Sequence, residues 1–385
     1  MAFYGKGQGK GQGKGQGKGQ GKGQGKGQGK GQGKGQGKGQ GRGQAADHAG
    51  GESSAALSDA LAAVHDGLVG FWKGDASARP AERLGNPDDA DASYLTAETR
   101  GNLLDSLLAA QFSVAGPASA GAGAATLSVG GATAFTLATP APAFFQQQLV
   151  YLRSYADLRG DRLGEIDVQI DDMLSFFGLV GLLDDGRRKA TLELLGAVIR
   201  LAVHVEMPVK HYCRAPRPID HSPRVMPIVQ TPDHSSFPSG HAMEAFAAAT
   251  VLDRLCAGRA YLATGFRALP YQIAHRIAVN RTIAGVHFPV DSLAGALIGC
   301  RIGEEVCRMA HGLAPLGEAG FVQGNPAVEM VSGGNTFAAT ADFTLDALAG
   351  LHSQDRDPPA APKGVLGDIW KRAQAEWPAA GTAVA

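Results

Sequence analysis

The sequence predicts a mainly α protein with a disordered N-terminal arm. Three observations carry that expectation. Apolar residues recur at helical spacing in several long segments between Gln146 and His311. Only one short stretch, beginning near Thr126, reads as β structure. From Gly5 to Gln44 the tetrapeptide Gly-Lys-Gly-Gln runs ten times, the last copy being Gly-Arg-Gly-Gln.

The repeat defines the arm, residues 1–45. Half of it is glycine and none of it is apolar, so it buries too little surface to offset chain entropy. A period of four is too short for a solenoid, and collagen needs glycine at every third position rather than every second. Ten of the 36 basic residues lie in the repeat and none of the 36 acidic ones does, so 26 basic face 36 acidic residues in the rest, a net charge of −10 there. A cationic arm on an acidic body suits contact with anionic surfaces such as nucleic acid or lipid head groups. A repeat expansion with no selected role is the plainer alternative.

Residues 46–145 read as a helical and irregular extension. Glu52 to Trp72 predicts a helix with Leu57, Leu61, Val64, Leu68 and Phe71 on one face, and Leu95 to Phe112 predicts a second. Between them lies a polar loop through Pro80, Pro87 and Asp88 to Asp91. Within the small-residue stretch Ser113 to Pro142, the strands Thr126–Val129 and Ala132–Leu137 flank Gly130-Gly131 as a hairpin.

Residues 146–312 form the predicted core, with helices over 146–158, 163–183, 187–211, 241–256, 268–280 and 291–311. Asp291-Ser292 is a suitable start for the last of these and Gly312 a suitable stop. The proline-rich segment Pro216 to Pro238 is a long loop, expected to wall a pocket, with His234 its best candidate for a part in the site. Residues 313–385 form a C-terminal extension with little periodicity until Gly364 to Trp377, a short helix expected to pack through Ile369, Trp370 and Trp377. Residues 46–380 can be one helical domain, or 46–145 a subdomain of their own.

Composition narrows the setting. No window supplies about 18 uncharged apolar residues, the length of a spanning helix; Ala190 to Val209 contains Glu193, Arg200, His204 and Glu206. No secretory signal is visible at the amino terminus, so a cytoplasmic protein is expected. Cys213, Cys256, Cys300 and Cys307 form no Cys-x-x-Cys pair, which argues against structural zinc and for reduced thiols. Cys300 and Cys307 suit one helix face, and Cys213 would feel the positive field around it.

Chemistry concentrates between Lys210 and Asp291. Lys210 is followed after six residues by Arg217-Pro218; then come Pro238-Ser239-Gly240-His241, and Arg281, His287 and Asp291. Arginine grips two oxygens of a tetrahedral anion with a planar fork, and lysine adds a point charge. Ser239 offers a hydroxyl, and Gly240 allows close backbone approach at a helix start. His241 can protonate a leaving group. Asp291, one helical turn beyond His287, can fix which imidazole nitrogen faces the substrate.

These clusters resemble the signature of the type 2 phosphatidic acid phosphatase and vanadium-dependent haloperoxidase superfamily, K-x6-RP, PSGH and SR-x5-H-x3-D. The one departure is Asn280 in place of the serine before Arg281. The resemblance implies a helical bundle of the acid phosphatase and haloperoxidase type, of its soluble branch. It implies His287 as nucleophile, His241 as general acid and Asp291 as orienting group. Lys210, Arg217, Ser239, Gly240 and Arg281 would hold the oxygens. In the phosphatase reading the substrate is a small phosphoester and no cofactor is needed. In the haloperoxidase reading vanadate is the cofactor, bonded to His287, and peroxide and halide are the substrates. A third reading, of another class, makes the chain a polyanion-binding protein acting through its arm.

If the arm binds anionic surfaces, deleting residues 5–44 should abolish salt-dependent binding to polyanions while leaving any turnover unchanged. Unaltered binding would remove the arm from that role.

Overall fold

The computed structural model describes residues 55–70, 88–117, 119, 123–256, 265–316, 327–328, 337–352 and 360–377. The repeat arm lies outside them. Contacts divide the chain into a unit of residues 1–88 and 92–103 and a larger one of residues 89–91 and 104–385. The described structure is mostly helical.

In the smaller unit, α1 (Ala55–Leu68) covers most of the first predicted helix. Its apolar positions Leu61, Val64 and Leu68 are exposed. The helix α2 (Ala97–Ala109), whose residues from Leu104 onward belong to the larger unit, is shorter than the sequence predicts, because Phe112 is the first residue of a strand. Arg100 is tied to the Ala92 and Leu95 carbonyls.

The larger unit opens with β1 (Phe112–Ala115), β2 (Ala124–Val129) and β3 (Ala132–Ala138), an antiparallel meander to which β4 (Ala327–Val328) adds in parallel. Gly130 and Gly131 both have positive φ, as a two-residue hairpin turn matched to strand twist requires. The helices α3 (Pro142–Ala156), α4 (Arg159–Asp171), α5 (Leu174–Gly181) and α6 (Lys189–Cys213) follow. One helix is predicted over 163–183; the chain instead breaks between α4 and α5. There the Asp172 carboxylate, just before the Met173 N-cap, accepts from the Ser175 N–H and hydroxyl in the first turn of the new helix.

The short α7 (Pro218–His221) lies in the proline-rich loop, ahead of α8 (Gly240–Leu255), α9 (Leu269–Ala284) and α10 (Pro289–Ala310). The last begins two residues before the predicted start, with Pro289 at its first position. Two further helices, α11 (Leu345–Leu351) and α12 (Gly364–Ala375), complete the described chain, and Ile369, Trp370 and Trp377 are buried. All four cysteines are buried. Among the described residues no helix is long and apolar enough to cross a membrane.

The core lies among α6, α8, α9 and α10, and the closest packing joins α8 to α10. A β-carbon on Gly295 would stand 2.3 Å from the Ser239 carbonyl oxygen, and one on Gly299 2.3 Å from that of Met243. Backbone fills the space on that face, so only glycine lets the axes approach so closely. Gly164, by contrast, is an exposed residue within α4 with nothing within 4 Å of its missing β-carbon.

Gly299→Ala should therefore destabilise the protein by about 1–3 kcal/mol through overpacking. Gly164→Ala should stabilise it by about 0.4–1 kcal/mol by restricting the unfolded chain. Urea denaturation midpoints check both signs.

Candidate active site

Five elements bring the sequence-predicted residues together. Lys210 lies in the last turn of α6, and Arg217 immediately precedes α7. Ser239 is the N-cap of α8, with Gly240 and His241 in its first turn. Arg281 lies in the last turn of α9, which runs four residues past its predicted end. Gly285, at φ +85, ends that helix in a left-handed turn closed by the Val286 N–H on the Arg281 carbonyl. This turn delivers His287 to the start of α10.

The His287–Asp291 pair lies one turn apart, as its spacing predicts. His287 Nδ1 lies 3.2 Å from Asp291 Oδ2 and can donate to it. The same oxygen accepts from the Phe288 N–H and the Ser236 hydroxyl. With its proton on Nδ1, the imidazole presents the Nε2 lone pair to Arg217 Nη1 at 3.1 Å. Burial, then Arg217 and Lys210, hold His287 well below the usual histidine range, so the ring is neutral. Burial pushes Asp291 up to about 6 against the pull of Ser236, Phe288 and the nearby cations.

The three cations are buried, and the protein's own oxygens secure them. Lys210 donates to the Ser235 carbonyl and pairs with Glu206 at 3.6 Å. Arg217 donates to the carbonyls of His234 and Val286, and its Nη2 meets His234 Nδ1 at 3.1 Å. His234 thus braces an arginine. Arg281 Nη2 donates to the Ile166 carbonyl and to Gln169 Oε1. Burial lowers Lys210 to about 8 and Arg281 to about 10, so both are charged at neutral pH.

Ser239 and His241 complete the predicted set. The Ser239 N–H donates to the Asp291 carbonyl at 2.8 Å, tying the start of α8 to that of α10. Its hydroxyl accepts a long bond from Ala242 N at 3.5 Å. Burial and the Arg281 charge hold His241 at about 3. A cavity of about 530 Å³ opens onto Lys210, Arg217 and His234, walled further by Met207, His211 and Arg214. His241, Arg281 and His287 do not line it.

Several functional neighbours escaped the sequence reading. Glu206 was noticed only as a charge that excludes a membrane span, although its i,i+4 spacing from Lys210 marks a helical ion pair. Its carboxylate also fills the place of a side chain on Gly240, where a β-carbon would lie 2.2 Å from Oε1. Gly240 therefore makes room for a buried acid as well as exposing backbone. Burial and the Glu206 charge together raise Glu244 to about 8. Asn280 bonds Glu165 and Gln169 behind Arg281. Cys213 does feel the lysine's field, but burial outweighs it and pushes the thiol up to about 11.

Chemically, the arrangement offers a lone-pair nitrogen, a second imidazole and three fixed cations. That set suits a tetrahedral oxyanion and transfer of its central atom to nitrogen.

Comparison with known proteins agrees. Residues 191–312 match the PAP2 superfamily. Two similar relatives are the decaprenylphosphoryl-5-phosphoribose phosphatases of Mycobacterium tuberculosis strains CDC 1551 / Oshkosh and ATCC 25618 / H37Rv. Each is 33% identical over 134 residues, which span 35% of this chain and 70% of the relative. The chain belongs to the PAP2 superfamily.

Proposed function

We propose that this protein is a phosphoester hydrolase that works through a phosphohistidine on His287. The observation that carries the reading is the His287 ring, neutral, anchored to Asp291 through Nδ1 and turned with Nε2 toward Arg217. The family and the phosphatase relatives support a phosphatase-type hydrolase.

In this mechanism Lys210, Arg217, Arg281 and the Ser239–Gly240 segment hold the phosphoryl oxygens. His287 Nε2 attacks phosphorus in line and the P–O ester bond breaks. His241 gives its proton to the departing oxygen, whose organic part occupies the cavity beside Met207, His211 and Arg214. His241 is held neutral in the free protein by burial and three cations; a bound dianion offsets those charges and lets the ring carry the proton. Water then attacks phosphorus, its proton passes to His241, and the P–N bond breaks to release phosphate. Asp291 stabilises the charge that develops on His287.

Vanadate fits the same donor set, since it too is a tetrahedral oxyanion. His287 would hold it, and bound vanadate would supply peroxide activation. The hydrolase reading expects vanadate to inhibit instead, as a transition-state mimic.

Two outcomes test this function. Turnover of a labelled phosphomonoester, quenched with denaturant at alkaline pH where a P–N bond survives, should leave label on His287, and His287→Ala should lose at least about 10³-fold in kcat. Label on another residue, or bromide peroxidation that appears on adding vanadate, would overturn the reading. The second outcome is a pH dependence. Lys210 is protonated below about 8 and neutral above it, so kcat/KM should fall as pH rises through that value. Lys210→Arg, whose guanidinium keeps its charge, should remove this alkaline limb even at reduced activity.

A further inference from the structure

Gln169 stands outside the motif clusters, yet it touches one of them. It lies in α4, three residues beyond Ile166, and is 1% exposed. Its Oε1 accepts from Arg281 Nη2 and from Asn280 Nδ2, each at 3.1 Å. A single residue therefore braces both the arginine assigned to the oxyanion and the asparagine beside it.

The carboxamide's orientation follows from its partners. Both groups facing Oε1 are donors, so oxygen must face them and the amide NH₂ must point the other way. That Nε2 is buried and has no partner among the described residues, and the same holds for Arg281 Nε. Buried donors without acceptors are rare in folded proteins, and two on bonded neighbours are a reason to look for a missing acceptor. Arg281 is itself 2% exposed, so bulk water does not supply it.

We propose that Gln169 belongs to the oxyanion cradle: Gln169 Nε2 and Arg281 Nε donate to oxygens of the bound tetrahedral anion, and Gln169 Oε1 holds Arg281 in place for this. The inference rests on the reading of this site as one for a phosphate-like anion. It assigns a ligand contact to α4, an element without a signature residue. It also gives Asn280 a purpose, since its amide helps to hold the Gln169 oxygen toward Arg281.

The test is equilibrium binding of inorganic phosphate to the full chain by calorimetry, with thermal melting as the check on folding. Gln169→Glu keeps an oxygen for Arg281 and Asn280 but removes the Nε2 donor. Gln169→Met keeps the volume without polar atoms or charge. Both variants should fold, Gln169→Met with a lowered melting temperature because Arg281 and Asn280 lose a buried acceptor, and both should bind phosphate about tenfold or more weakly, as expected for a lost hydrogen bond to a charged group. Gln169→Met should show the larger loss in kcat, because Arg281 loses its brace as well. Phosphate affinity within twofold of the parent in either folded variant would overturn the proposal. If the parent binds phosphate and the variants do not, the proposal stands even when no phosphoester is hydrolysed, and only the hydrolase reading falls. If the parent binds neither phosphate nor vanadate, both fall together.

Discussion

The close approach of α8 to α10 is the constraint on which the site depends. Gly295 lies under the Ser239 carbonyl, and the Ser239 N–H donates to the Asp291 carbonyl. The two helices therefore start side by side. One start carries Ser239, Gly240 and His241; the other carries His287 and Asp291. Helix starts present positive dipole ends and free N–H groups, so pairing them places a favourable field where an anion is to bind. A larger side chain along this seam would move one set of groups relative to the other, although no catalytic atom was touched.

Around that seam the protein solves an electrostatic problem. Lys210, Arg217 and Arg281 are all buried, and unpaired buried cations are costly. Carbonyl oxygens of Ser235, His234, Val286 and Ile166 accept hydrogen bonds from them without cancelling their charge. Acids are used sparingly, with Glu206 beside the lysine and Asp291 behind the histidine. The cluster thus keeps a positive field while most of its donors are satisfied, and burial first, then that field, keeps both imidazoles neutral. A neutral His287 has the lone pair that a nucleophile needs.

Much of this was legible in the chain. The six-residue gap from Lys210 to Arg217 spans a helix end and the turn into α7. The three-residue gap from His287 to Asp291 is one helical turn, and the observed bond follows from it. The Gly130-Gly131 turn and the packing of Trp370 and Trp377 were equally readable. Misreadings came where a local side-chain bond or a strand pairing beat the apolar pattern. Asp172 bonds Ser175 at the start of a new helix inside a segment that reads as one helix, and Phe112, helical by periodicity, pairs with Val129 in a sheet.

By itself the sequence determined the helical class, the inventory of charged groups and their order, because helix formation and i,i+4 pairing are local. Tertiary structure alone decided that Glu206 fills the space beside Gly240, that burial overrides the lysine's field at Cys213, and that Gln169 reaches Arg281. Gln169 and Arg281 are 112 residues apart in the chain. No spacing rule links such residues; only the packing of α4 against α9 brings them within hydrogen-bonding distance, and only burial there makes an unpartnered donor significant.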